Sequence, residues 1–275
     1  MPTNSHVRKK RRRSSAARRA VIFLSVVTMV LAIVTIVLFA DNMRLRAKLA
    51  DNGKPSVSDP IQNNDSSSTV SDTSSQNKPT VSQEDLWKLR VANYKNVLPA
   101  DFTVETGLIT RAYARDQGMS FDARAVGDLN DMLAAANRDG VNLLVISCFR
   151  TLTKQTNLYN AEVQKWLNQG YSEERAKEKA GTIVAVPGTS DHNLGLAVDL
   201  NSVEESFENT KQFDWLQEHA AEYGFVMRYP KDKQEITKII YEPWHYRYVG
   251  KEHAAKMNEL NMCLEEYVEY LGIEF

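Results

Sequence analysis

Cysteine is scarce in this 275-residue chain, with only Cys148 and Cys263. At most one disulfide can form, so cross-linking does not define the fold. The spacing leaves their pairing open, and two free, half-buried thiols are the simpler expectation. Acidic residues are missing from positions 1–19, where eight Lys and Arg stand between Arg8 and Arg19. Charge of either sign is missing from residues 20–40, AVIFLSVVTMVLAIVTIVLFA. Large apolar residues are nearly missing from residues 51–84, where Ser, Asn, Asp, Thr and Pro dominate. Such a segment buries too little surface to offset its ordering entropy, which excludes a packed core there. No internal repeat occurs, and no regular βαβ alternation, which argues against a doubly wound parallel sheet.

What is present divides the chain. The formal charge of −1 hides a split. Without the eight cationic residues of the tail, 26 Lys and Arg remain against 35 Asp and Glu, about −9. That excludes nucleic acid as a partner of the main domain. The basic tail reads as a topology signal beside anionic lipid, although its composition also suits nucleic acid. The uncharged run of 21 residues makes a helix roughly 31 Å long at about 1.5 Å per residue, matching a bilayer core. A cleaved signal peptide is the rival reading, but its apolar core is usually only about 7–15 residues. Arg44, Arg46 and Lys48 follow the run, fewer cations than precede it, so the N-terminus belongs in the cytoplasm. The expected organisation is a basic cytoplasmic tail over 1–19, a transmembrane helix over 20–40, a juxtamembrane segment and disordered linker over 41–85, and a folded domain over 86–275.

Within that domain, FDARAVGDLNDMLAAANRDG predicts an amphipathic helix closed by Gly140. VNLLVISC predicts a buried strand. Residues 154–169 predict a helix, and another starts after the N-cap candidate Ser172. A third covers 210–223 and ends at Gly224. FVMRYP and ITKIIYE predict a strand pair around KDKQE, and residues 251–271 predict helix. The class is α+β, with a small, mostly antiparallel sheet flanked by helices.

Two separated stretches carry the chemistry. SDHNLGLAVDLN supplies His192 and Asp199, and EPWHYRYVG supplies Glu242 and His245. Two imidazoles and one carboxylate leave a fourth position for water, the pattern of catalytic zinc. Such a site acidifies water and polarises a carbonyl, while a neighbouring carboxylate such as Glu242 shuttles the proton. Two alternatives use the same residues. Ser190, His192 and Asp199 spell a nucleophilic triad, but no nucleophile elbow surrounds Ser190. The two-His, one-carboxylate set also fits non-haem iron, although a seven-residue gap is unusual there. His6, His219 and His253 read as structural or surface histidines.

PGTSDHNLGLAVDLN with EPWHYRYVG resembles the signature pair of the VanY-type D-alanyl-D-alanine carboxypeptidases, zinc peptidases that trim peptidoglycan stem peptides. SCFRTLTKQ, residues 147–155, is similar to a third family segment, and the likeness spans roughly 89–275. The resemblance implies a single zinc-peptidase domain that binds one Zn²⁺ through His192, Asp199 and His245. It implies Glu242 as catalytic base and Arg150 as the group over the scissile carbonyl. Gln155, Ser190, Tyr229 and Trp244 fall where the family lines its substrate pocket. The implied partners are peptidoglycan stems ending in D-alanine. The implied location is a bacterial cell membrane, spanned once, with the catalytic domain outside. An L,D-carboxypeptidase acting on tetrapeptide stems and a non-catalytic wall-binding module are the alternatives. Asp191 and Asn193 stand where the family usually has Glu and Gln, Cys148 where Gly is common, and Phe149 where Tyr is common. These departures bear on substrate preference, with Asp191 shortening a side chain expected near the metal.

Overall fold

The computed structural model describes residues 81–275. The tail, the apolar span and nearly all of the linker expected from the sequence lie outside the described residues. Among the described residues no helix is long and apolar enough to cross a membrane.

After a single turn, α1 (Leu86–Leu89), the hairpin strands β1 (Thr106–Leu108) and β2 (Ser120–Asp122) pair antiparallel. Helix α2 (Val126–Arg138) follows. Its Leu129, Met132, Leu133 and Ala136 recur at helical spacing and are fully buried. Gly140 closes it at φ 73°, a left-handed conformation that a side chain would strain. Strand β3 (Val145–Ser147) leads to α3 (Leu152–Asn168), whose N-cap Thr151 accepts the Lys154 N–H. Ser172 caps α4 (Glu173–Gly181) in the same way. Then come β4 (Ala197–Leu200), α5 (Lys211–His219) with a 3₁₀ extension to Tyr223, and β5 (Phe225–Met227).

The expected strand ITKIIYE does not form. Gln234–Thr237 is instead a short helix, α6, ended by left-handed Lys238. The partner of β5 is β6 (His245–Tyr248), just beyond Pro243, which cannot donate to a ladder. The predicted C-terminal helix is two helices, α7 (Lys251–Leu260) and α8 (Leu264–Leu271). Asn261 adopts a left-handed conformation between them, and Cys263 with Glu266 forms a capping box at α8. Both cysteines are buried and free.

The main sheet is antiparallel in the order β3-β4-β6-β5. Its larger core gathers Phe121, Leu129, Met132, Leu133, Leu196 and Phe225 between α2 and the sheet. A second core packs Val226 and Val249 against Met257, Leu264 and Tyr267 of the last two helices. β4 and β6 occupy the middle of the sheet, where both faces are covered, and every residue of both strands is buried. Polar side chains on these two strands therefore need specific partners.

Candidate active site

Register brings the first two functional groups together. Asp199 of β4 is the cross-strand partner of His245 of β6, so both point from the same face of the sheet. The third arrives on the turn before β4. There the Ser190 carbonyl accepts the Asn193 N–H and the His192 carbonyl accepts the Gly195 N–H. Gly195 is needed at φ 73°, where a Cβ would lie 3.3 Å from the Asp122 nitrogen. The Arg150 N–H bonds the His192 carbonyl at 3.0 Å, tying this turn to the segment after β3.

His192, Asp199 and His245 are each no more than 3 % exposed. They offer one ligand atom apiece within 4.8 Å of one another. His192 Nε2 lies 3.3 Å from Asp199 Oδ2, and His245 Nδ1 lies 3.1 Å from Asp199 Oδ1. His192 Nδ1 donates to the Cys148 carbonyl at 2.8 Å, which leaves the Nε2 lone pair facing the cluster. Five buried polar side-chain atoms among the described residues lack a hydrogen-bond partner, and His192 Nε2, Asp199 Oδ1 and His245 Nε2 are three of them. Buried donors and acceptors are normally satisfied, so their concentration at one point fits a cation. Two imidazoles and a carboxylate are a donor set suited to zinc.

Charge in the cluster is uneven. Burial and the nearby Arg150 guanidinium lower His192 to about 4, so it is neutral at physiological pH. Burial opposes protonation of His245 too, but Asp199 and Glu242 outweigh it and raise the group to about 9. Burial would raise Asp199, yet His192, His245 and Arg150 hold it well below the usual carboxylate range. Glu242 sits with Oε2 3.2 Å from His245 Nδ1, and burial raises its carboxyl above the ordinary value. A carboxylate of raised pKa beside the ligand set is the arrangement expected of a proton shuttle.

The cluster opens into a cleft of about 370 Å³. Arg150, Ser190, Tyr229, Glu242 and Trp244 line it, as the sequence led one to expect. Arg150 is fixed on several sides: Nη2 donates to Asp199 Oδ2 and to Ser147 Oγ, each at 2.7 Å, and Nη1 reaches Gln155 Oε1 at 3.4 Å. The Tyr229 ring packs on His245 with centroids 4.8 Å apart. Ser190 Oγ accepts the His192 N–H. Gln155 is placed differently from expectation. It is fully buried, outside the cleft lining, and donates to the Ala185 carbonyl at 2.7 Å while accepting from Arg150. Its contribution is to hold the arginine. Hollows of about 570 and 950 Å³ elsewhere on the domain contain none of these residues.

Asp191 is also not where its neighbour in sequence led one to expect. Its carboxylate is fully buried and accepts from Arg228 Nε and Arg247 Nη1, each at 2.6 Å. Arg228 in turn grips Glu265 of α8 with two bonds, and Arg247 donates to the Lys88 and Arg90 carbonyls. Burial favours the protonated acid, but the two guanidiniums keep Asp191 ionised. Sequence reasoning missed Arg228 and Arg247. The signal available was alternation: an arginine two residues after His245 on a buried strand shares the inward face. Asn193 donates to the Arg150 carbonyl at 2.8 Å, so it steadies the arginine segment.

A buried pair of histidines with one aspartate, a neighbouring glutamate and an arginine at an open cleft define a zinc hydrolase centre. Residues 118–251 match the family described as VanY: D-alanyl-D-alanine carboxypeptidase. A D-alanyl-D-alanine carboxypeptidase from Enterococcus faecalis is 42% identical over 185 residues, covering 67% of each chain. The chain belongs to the VanY family, and it is a zinc peptidase that uses one metal ion. Among solved structures it is similar to a variant of the vancomycin resistance D,D-pentapeptidase VanY from a VanB-type cassette in complex with Zn(II). That likeness has a TM-score of 0.58 at 42% identity, covering 66% of this chain and 99% of the other. It is also similar to the LdcB LD-carboxypeptidase, with a TM-score of 0.58 at 32% identity over 65% of this chain and 84% of that one.

Proposed function

We propose that the chain removes the C-terminal D-alanine from peptidoglycan stem peptides that end in D-alanyl-D-alanine. The observation that carries this reading is the convergence of the Glu242 carboxylate and the Arg150 guanidinium on the His192–Asp199–His245 set at one cleft. Lewis acidity, which acidifies water and polarises a carbonyl, is what zinc supplies when held by these three residues. Glu242, buried and hydrogen-bonded to His245, takes a proton from the attacking water at Oε2 and passes it to the leaving amine. Arg150 meets the negative charge that develops on the scissile carbonyl oxygen, with Asp199, Ser147 and Gln155 holding it against reorientation. Ser190, Tyr229 and Trp244 line the same cleft and are available to contact the peptide. A wall-binding module would need no proton shuttle, so Glu242 speaks against that alternative. The higher identity to the D,D-pentapeptidase VanY, 42% against 32% for the LD-carboxypeptidase LdcB, supports pentapeptide over tetrapeptide stems. The domain is read as tethered outside a bacterial membrane by the 20–40 span, for which the length of that uncharged run is the support.

The test is D-alanine release by the zinc-loaded protein from synthetic pentapeptide and tetrapeptide stems. Release from the pentapeptide is expected. Release from the tetrapeptide alone would move the assignment to the L,D class, and release from neither would overturn it. Glu242→Gln is expected to keep zinc while losing about 10²–10⁴ in kcat. Full activity in that variant would refute the role of the base.

A further inference from the structure

The connection between β5 and β6 carries much of the cleft, yet little of it reaches a core. It supplies Tyr229, Ile239, Ile240 and Glu242 to the lining. Between Lys231 and Ile240 only Thr237 is buried. Main-chain bonds hold it near the cleft. The Glu242 N–H donates to the Tyr229 carbonyl at 3.2 Å, and the Ile240 N–H donates to the Thr182 carbonyl at 3.0 Å. Further out, Lys233 reaches Glu266 of α8 at 2.9 Å.

Both ends of this excursion also meet a single carboxylate. Lys231 Nζ donates to Glu208 Oε2 at 2.7 Å, and the Tyr241 hydroxyl donates to the same oxygen at 3.1 Å. The ammonium lies over the Tyr241 ring as well, 4.6 Å from its centroid. Two points of the chain are thus stapled at a neck. Glu208 gives that staple a firm base, because it belongs to a 3₁₀ turn, Glu205–Asn209, whose Phe207 is part of the larger core. The phenol remains a donor, since burial and Glu208 push Tyr241 above its ordinary value.

Tyr241 immediately precedes the base. Ile240 and Glu242 on either side of it line the cleft, whereas Tyr241 is turned away to Glu208. A hydroxyl placed there does not touch substrate. What it fixes is the backbone from which Glu242 projects. A general base has to stand within hydrogen-bond reach of the proton it takes, and a misplacement of about 1 Å can cost on the order of a hundredfold in rate.

We infer that Tyr241 is a positioning residue: with Glu208 and Lys231 it staples the neck of the β5–β6 excursion and so holds Glu242 against the ligand set. The inference rests on the carboxypeptidase reading and deepens it, because it names what keeps the base of that site in place.

The experiment measures D-alanine release by the full zinc-loaded chain and its variants, from the stem peptide that the unaltered chain cleaves, with bound zinc determined for each protein. Tyr241→Phe removes the hydroxyl and keeps the ring. It is expected to lower kcat about tenfold while KM and zinc content stay the same. Glu208→Ala is expected to match that loss. Glu208→Gln keeps an oxygen that accepts from the phenol and is expected to recover most of it. Tyr241→Phe combined with Glu208→Ala is expected to lose no more than either alone, because both break one staple. Unchanged kcat in Tyr241→Phe, a loss carried by KM or by missing zinc, or losses that multiply in the double variant would overturn the inference. Each of those outcomes requires an active unaltered chain and leaves the carboxypeptidase reading standing. Release by the unaltered chain from neither pentapeptide nor tetrapeptide stems would overturn that reading, and this inference with it.

Discussion

His192 and His245 are the same side chain in opposite electrostatic circumstances. His192 is lowered to about 4 by burial and by the nearby Arg150, whereas His245, buried too, sits between two carboxylates that raise it to about 9. Zinc takes neutral imidazole, so binding must expel a proton from His245 but none from His192 at neutral pH. Zinc affinity should therefore climb with pH, by up to about tenfold per unit, and level off above about 9. A competition titration with a chelator at several pH values measures this, and a flat response between pH 6 and 8 would contradict the pairing of His245 with its two acids. The zinc-free fold feels the same shifts. Stability from the raised His245 is complete below its ordinary value of 6.5 and is lost as pH rises through about 9. The lowered His192 acts in the opposite sense, withdrawing stability as pH falls from 6.5 towards 4.

At the scale of elements, the metal-binding segments are fastened from behind by charge. Asp191 belongs to the turn that carries His192, Arg247 to the strand that carries His245, and Arg228 to the segment that leads into Tyr229. Glu265 brings in α8. Two guanidiniums and two carboxylates balance, and none of the four side chains is more than 14 % exposed. A balanced buried cluster adds little over an apolar one, but removing one member strands a charge at a cost of about 3–5 kcal/mol. Asp191→Asn does that while keeping the shape of the side chain. For a domain of this size the melting temperature should fall by on the order of 10 °C. An unchanged melting curve would show that the cluster does not hold the turn in place.

At the scale of the whole molecule, the catalytic domain and the N-terminal third make separate physical claims. The 21-residue uncharged run after a basic tail predicts a protein that sediments with membranes and is released by detergent but not by salt. A chain found free in the medium and starting near residue 41 would instead identify a cleaved signal. Were the tether present, it would hold the cleft close to the wall layer in which stem peptides occur.

How much of this was legible depended on whether the information is local. Gly140, Ser172 and Gly224 mark helix ends through their own backbone and side-chain chemistry, and the structure uses each of them so. The ligand residues were legible because zinc restricts donors to few residue types, and the resemblance linked two segments some fifty residues apart. Other features depended on partners distant in the chain. ITKIIYE has strand-like composition, yet β6 took the place beside β5, because pairing is settled by what else competes for that edge. Gln155 lies behind the arginine instead of in the cleft, and Asp191 lies in an ionic cluster instead of beside the metal. Both are polar residues whose burial requires partners contributed by other segments. The sequence by itself determined the class, and through its family resemblance it pointed to His192, Asp199 and His245 as the ligand set and to Glu242 as the base, since few residue types can hold zinc or shuttle a proton. Only the tertiary structure decided which polar side chains face substrate and which support those that do, because a buried polar group goes where its hydrogen-bonding partners converge.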